Sequence, residues 1–121
     1  MINLKEYIKQ INESKETLFV SSDLIIKGGD HFIDRKFERN VNIKSLEKTF
    51  SKCESKILEA IKDGNLSSSS DIVLINKNPK PYLNIVLKYV GKIKNKHYII
   101  VLTVMPNMNF KTSDYTIECY A

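Results

Sequence analysis

The first half of the chain places its apolar residues at helical spacing. Residues 3–14 carry them at i, i+3, i+4 and i+7, which predicts an amphipathic helix. A longer helix is predicted to begin after Asn42 as N-cap and to end at Gly64. Its expected buried stripe is Leu46, Phe50, Cys53, Ile57 and Ile61. Between the two, Thr17–Lys27 has two short apolar runs that fit either a helix or a strand.

The second half changes to the β-branched and aromatic composition that is typical of strands. Four strands are predicted, at Asp71–Asn76, Tyr82–Val90, His97–Met105 and Tyr115–Tyr120. The connection between the second and the third of these strands, residues 91–96, has hairpin length. Helices first and strands afterwards predict a single α+β domain over residues 1–121, with N-terminal helices packed on a four-stranded antiparallel sheet.

The stretch Gly28–Val41 has the clearest chemical pattern in the chain. Two glycines precede Asp30, which suits a helix N-cap, and a short helix is predicted from His31 onward. His31, Arg35 and Arg39 recur every four residues, so at about 100° per residue they spread over roughly 80° of the helix surface. One edge of this helix therefore carries an imidazole and two guanidinium groups.

Such an edge has the groups needed to cleave RNA without a metal ion. An imidazole in the first turn of a helix, near an arginine, is disfavoured in its protonated form and can act as a general base. The arginines can bind a phosphodiester, and the RNA supplies its own 2′-hydroxyl nucleophile. In the structural alternative, His31 caps or packs the helix. Arg35 and Arg39 then pair with Asp34 and Glu38.

The distribution of charge along the chain is a second indication of function. The chain of 121 residues has a net charge of +5, and residues 72–113 contain no acidic side chain. A surface of one sign attracts phosphates, which favours nucleic acid as a partner. The alternative is that the lysines guard strand edges and hairpin tips. Within this interval, His97 is a further catalytic candidate, and Lys88, Lys96 and Lys111 are candidate substrate-binding residues.

The cysteines, the apolar runs and the spacing of possible metal ligands each predict a further property of the protein. Cys53 and Cys119 are far apart in the sequence and are predicted to be reduced, buried thiols of a cytoplasmic protein. No apolar run approaches the roughly 18 residues needed to span a bilayer, so no membrane partner is expected. His, Cys, Asp and Glu show no metal-ligand spacing, so neither a metal nor another cofactor is expected.

The run HFIDRKFERN, followed by a long amphipathic helix and a lysine-rich set of strands, resembles the RegB-type phage endoribonucleases of the RelE-like ribonuclease group. Their corresponding segment has the form His-Φ-Φ-Asp-Arg-x-x-x-Arg, where Φ is apolar, and the resemblance covers residues 28–60. It implies a RelE-like fold, His31 as the essential histidine, and Arg35 and Arg39 as its companions. The second functional histidine of the family falls at Ser51 here. Either His97, Tyr98 or a lysine replaces it, or the chain has the fold without the activity.

The expected function is thus a small metal-independent endoribonuclease that leaves a 2′,3′-cyclic phosphate and acts in the cytoplasm, which is the host cytoplasm if the protein is phage-encoded. Its partner would be RNA, either free mRNA or RNA on the ribosome. Two rival functions remain at this point. One is a non-catalytic phage protein that binds nucleic acid or a host protein through the same basic face, and the other is a virion or assembly component without a site.

Overall fold

A computed structural model describes residues 16–35 and 41–121 of the chain. Those residues form six strands and two helices, in the order β1, β2, α1, α2, β3, β4, β5 and β6. The strands are β1 (Thr17–Val20), β2 (Leu24–Gly28), β3 (Ile72–Asn76), β4 (Leu83–Ile93), β5 (Lys96–Pro106) and β6 (Tyr115–Cys119), and the helices are α1 (Asp30–Arg35) and α2 (Ile43–Lys62). The predicted helix over residues 3–14 lies outside the described residues.

The strands form one mixed sheet in the order β1-β2-β5-β4-β3-β6. β2 runs parallel to β5 and β3 runs parallel to β6, whereas the other neighbours are antiparallel. The prediction of N-terminal helices on a four-stranded antiparallel sheet of RelE-like type is therefore wrong. The four strands of the second half are confirmed with small changes at their ends. The difference comes from two further strands in the first half and from the two parallel pairings.

The segment Thr17–Lys27, which fitted either a helix or a strand, forms the β1–β2 hairpin. Its turn is stabilised by Ser21, whose Oγ accepts from the backbone N–H of Leu24 at 3.1 Å. The same hydroxyl donates to the carboxylate of Glu54 on α2. Leu24 and Ile26 are fully buried in the core. Burial on the sheet, rather than local periodicity, thus selects the strand conformation.

The short helix α1 follows β2 directly because the two glycines allow a close approach. A Cβ at Gly28 would lie 2.5 Å from the buried ring of Phe32, and Gly29 donates its N–H to the carbonyl of Val101 at 2.9 Å. Asp30 is the first residue of α1 instead of a cap in front of it. Residues 36–40, which include Arg39, are outside the described part of the chain.

The long helix α2 begins and ends where the sequence predicts. Asn42 is its N-cap, with an extended backbone and a side chain that accepts from the N–H groups of Lys44 and Ser45 at 2.9 and 3.3 Å. Asp63 is the C-cap, and Gly64 follows with a φ of 81°, a conformation that favours glycine. The predicted stripe is buried except for Ile61, which is partly buried.

The main core lies between α2 and one face of the sheet. It is closed by a disulfide bond between Cys53 of α2 and Cys119 of the edge strand β6, and both residues are buried. The predicted burial of these cysteines is confirmed, but the prediction of reduced thiols is wrong. Residues 66 positions apart meet here because α2 packs directly against the end of β6. Neither helix of the described residues is long and apolar enough to cross a membrane.

Candidate functional site

The β4–β5 hairpin brings a histidine and a tyrosine into direct contact. Lys94 and Asn95, with φ values of 51° and 68°, form its two-residue turn. His97 and Lys92 are therefore paired directly across the hairpin. Behind them, Tyr89 places its Oη 2.8 Å from His97 Nδ1. His97, Tyr89 and Lys92, together with the β1–β2 turn beside them, are called the His97 site below.

The His97 site is held by both the core and the neighbouring strand. His97 is on the same face of the sheet as the buried Ile99, because alternate residues of a strand share a face. Its backbone N–H donates to the carbonyl of Asp23 at 2.8 Å, and Tyr89 packs against the main core. The imidazole is thus fixed at the end of a strand while remaining partly accessible to solvent.

Three influences set the protonation of His97. Partial burial lowers its pKa below the ordinary value of 6.5, the ammonium of Lys92 lowers it further, and the carboxylate of Asp23 acts in the opposite direction. Burial also raises the pKa of Tyr89, so its phenol keeps its proton at neutral pH. The site therefore holds a neutral imidazole and a neutral phenol in one hydrogen bond at pH 7.

The structure does not bring His31 and His97 together. His31 is exposed in the first turn of α1, which follows the carboxyl end of β2, whereas His97 is paired with Leu24 at the opposite end of that strand. The two ends of β2 are about 13 Å apart, at about 3.3 Å per residue. The two histidines therefore lie toward opposite ends of β2 and not side by side.

The other predicted site residues are distributed over the molecule. Arg35 is the last residue of α1, and Arg39 is not among the described residues. Lys96 is at the base of the hairpin turn, on the opposite face from its neighbour His97. Lys111 is exposed in the connection between β5 and β6. Among the predicted residues that the structure describes, only Lys96 is next to His97 at the turn end of the hairpin.

Lys88 shares a cleft with acidic residues, although the stretch of sequence around it contains none. It lines a polar cleft of about 470 Å³ between the α2–β3 and β5–β6 connections. Asp71 and Asp114, the two acids that bound the acid-free interval in sequence, line the same cleft. Serines supply most of the remaining wall. Because two aspartates and one lysine line this cleft, its charge does not favour a phosphate group.

The sequence did not identify Lys92, Tyr89 and Asp23 as members of the His97 site. Of these three residues, Lys92 could have been identified from the sequence. A two-residue turn at 94–95 would have paired Lys92 with His97 directly. Tyr89 could not be found in this way, because a bulge at Val90 shifts the register between the two residues. Asp23 is contributed by a separate hairpin, which periodicity did not identify. No three His, Cys, Asp or Glu side chains in the described ranges are grouped so as to hold a metal ion.

The electrostatics of the His97 site predict a measurable effect of Lys92. Lys92→Gln should raise the pKa of His97 toward 6.5, because the nearby positive charge is removed. NMR titration of the His97 ring protons, assigned with a His97→Gln variant, measures this directly. A folded pKa below the unfolded value means that the site's contribution to the free energy of unfolding is complete above pH 6.5 and is lost as the pH falls through the folded pKa. A lower or unchanged pKa in Lys92→Gln would contradict this arrangement of charges.

No protein-family model, curated protein or solved structure matches the chain. A function must therefore be inferred from the chain's own chemistry. The relevant features are the neutral histidine–tyrosine pair, the lysines of the hairpin that carries it, and the separation of this site from the His31 helix.

Proposed function

We propose that the protein is a metal-independent endoribonuclease whose reacting group is His97. One observation carries the proposal, the 2.8 Å hydrogen bond between Tyr89 Oη and His97 Nδ1 in a hairpin that also bears Lys92, Lys94 and Lys96. A neutral, oriented imidazole is the side chain best suited to proton transfer near pH 7. The ammonium of Lys92, which is paired with His97 across the hairpin, and that of Lys94 in the turn supply positive charge for the binding of a phosphodiester.

The tautomer that suits this role has the proton on Nδ1, from where it is donated to the oxygen of Tyr89. The lone pair of Nε2 is then free to accept the proton of an RNA 2′-hydroxyl. The 2′-oxygen attacks the adjacent phosphorus, and the bond from phosphorus to the 5′-oxygen breaks. The leaving 5′-oxygen takes a proton from the ammonium of Lys92, which is paired with His97 across the hairpin. Lys92 regains its proton from His97 or from solvent, and the products are a 2′,3′-cyclic phosphate and a 5′-hydroxyl.

In this proposal His31 is not the reacting group. The resemblance to RegB-type endoribonucleases supports an RNA substrate but points to His31 as the reacting group. The exposed position of His31 at the other end of β2 favours a structural or RNA-contacting role for it instead. The two histidines are therefore alternative centres, and substitution of each one separately distinguishes them.

The reaction is tested with the intact protein and single-stranded RNA in excess EDTA. We expect cleavage to persist, because the proposed mechanism uses only side chains and the 2′-hydroxyl. The new ends should be cyclic phosphates, detected by mass spectrometry. An RNA with every 2′-hydroxyl methylated is the matched control and should not be cleaved.

Two outcomes would contradict a metal-independent nuclease. Cleavage that stops in EDTA and returns with magnesium would mean that a metal ion takes part in the reaction. Binding of RNA without any cleavage would instead support the non-catalytic alternative, in which the same basic hairpin holds nucleic acid. One observation favours that alternative. Tyr89 and Asp23 both form hydrogen bonds with His97, and a purely structural histidine would be held in the same way.

A further inference from the structure

The outer surface of α2 carries lysines at a regular interval. Lys44, Lys48 and Lys52 are spaced four residues apart and are all exposed. At 1.5 Å per residue, consecutive members are about 6 Å apart along the helix axis. Lys56 continues the spacing, but its Nζ donates to the carbonyl of Glu118 at 2.7 Å. The first three residues are called the α2 lysine row below.

The α2 lysine row is locally unfavourable for the helix that carries it. Like charges four residues apart repel each other and destabilise a helix. Lys44 is also in the first turn, which contains no acidic residue, although the helix dipole favours acids there. The helix places one carboxylate, that of Glu47, among the three lysines, so their mutual repulsion is only partly relieved.

Among the described residues, no carboxylate forms an ion pair with a lysine of the row. The ion pair found there joins Lys77 to Glu118, at 2.8 Å, and does not involve the row. Glu47 shares a shallow depression of about 360 Å³ with the three lysines and Ser51, and leaves it with an excess of positive charge. An external anion with several charges would lower the energy of this arrangement by reducing the repulsion.

We propose that the α2 lysine row binds the phosphate backbone of single-stranded RNA. The choice of RNA as the polyanion rests on the function proposed above. A lipid surface is less suitable, because insertion needs exposed apolar side chains beside the charges. The large hydrophobic residues exposed in the described structure are Val20, Met108, Tyr115 and Tyr120, and none of them is on α2.

The α2 lysine row and His97 belong to the same face of the sheet but lie toward opposite ends of its strands. α2 packs on the face of the sheet to which the side chain of His97 belongs, because Leu46, Phe50 and Ile99 are part of one core. The row is on the outer side of that helix. Lys48 also lines a depression with Asn76, the last residue of β3, and Asn76 is aligned through Leu83 with Pro106, nine residues along β5 from His97. At about 3.3 Å per residue this is roughly 30 Å, so an RNA that reaches both places must extend over several nucleotides, although it need not cross to the other face of the sheet. The row would bind the strand and the hairpin would cleave it.

The test separates binding from cleavage. The probe is a fluorescently labelled single-stranded RNA in which every 2′-hydroxyl is methylated, so that it binds but is not cleaved. Replacing Lys44, Lys48 and Lys52 by glutamine should weaken binding about 100-fold at 0.1 M salt, because each phosphate contact on a single strand contributes about 0.7 to the log–log salt slope. The slope itself should become shallower by about 2. The thermal midpoint of the triple variant should not fall, since repulsion has been removed.

The matched control removes the same charge elsewhere. Replacing Lys62, Lys77 and Lys80 by glutamine should leave the affinity and the salt slope close to those of the parent. If the row variant binds as tightly as the parent while the parent cleaves unmodified RNA, the row inference is wrong and the proposed function stands. If the parent binds the methylated RNA through the row but cleaves no RNA, the row stands and the nuclease does not. Absence of binding by the parent overturns both.

Discussion

Replacing His97 by glutamine is expected to slow RNA cleavage by about 10²–10⁴-fold, the usual contribution of a positioned acid or base. Glutamine has about the same reach and can still bond to the hydroxyl of Tyr89, but its amide does not exchange a proton at neutral pH. The affinity for a methylated, uncleavable RNA should change little. Single-turnover cleavage at saturating protein measures the rate without a contribution from binding.

His31→Gln is the matched control for this prediction. Because His31 is exposed at the far end of β2 from His97, its loss should leave the cleavage rate near that of the parent. The reverse result, a large loss in His31→Gln and little change in His97→Gln, would move the centre to the α1 helix. The thermal midpoint of each variant must also be recorded, because His97 fixes a strand end. A loss of rate that only accompanies unfolding would assign His97 to structure.

The parental rate should also depend on pH. A base must be neutral to accept the 2′-hydroxyl proton, so cleavage should rise with pH as His97 loses its proton, and it should stay high only while Lys92 keeps the proton that it gives to the leaving oxygen. The lowered pKa of His97 puts that rise below pH 6.5.

Tyr89→Phe keeps the ring in the core and removes the oxygen that accepts from Nδ1 of His97. Its rate should fall less than that of His97→Gln, because the imidazole remains.

Reduction of the disulfide between Cys53 and Cys119 is expected to lower the free energy of unfolding by about 4 kcal/mol, the chain-entropy estimate for a large closed loop. The bond closes a loop between residues separated by 66 positions. It also ties the edge strand β6, which has β3 as its neighbour in the sheet, to the helix that covers the core. Urea denaturation of oxidised protein with and without dithiothreitol measures the difference.

The variant Cys53→Ala/Cys119→Ala is the control for the disulfide. Dithiothreitol should have no effect on its unfolding midpoint, and its stability should be close to that of the reduced parent or lower. Two free thiols titrated in the native, air-oxidised parent would show that the bond does not form. Equal stability of the oxidised and reduced parent would mean that the packing of β6 alone holds the edge of the sheet.

The local features were predictable because they depend on neighbouring residues only. The N-cap at Asn42 needs a short polar side chain before an apolar stripe, and the end of α2 needs a glycine such as Gly64 at positive φ. The four strands of the second half are identified by their β-branched and aromatic composition. None of these features depends on which other part of the chain packs against them.

By itself, the sequence thus determined the limits of α2, the strands of the second half and the excess of lysine. Only the tertiary structure decided that Thr17–Lys27 is a hairpin, that β2 runs parallel to β5, and that Cys53 meets Cys119. It also placed Asp71, Asp114 and Lys88 around one cleft. A stretch of sequence that contains no acidic residue can therefore still have acidic neighbours in the folded protein. The physical reason is that strand pairing and long-range contacts are selected by the burial of the whole core. No local pattern contains that information.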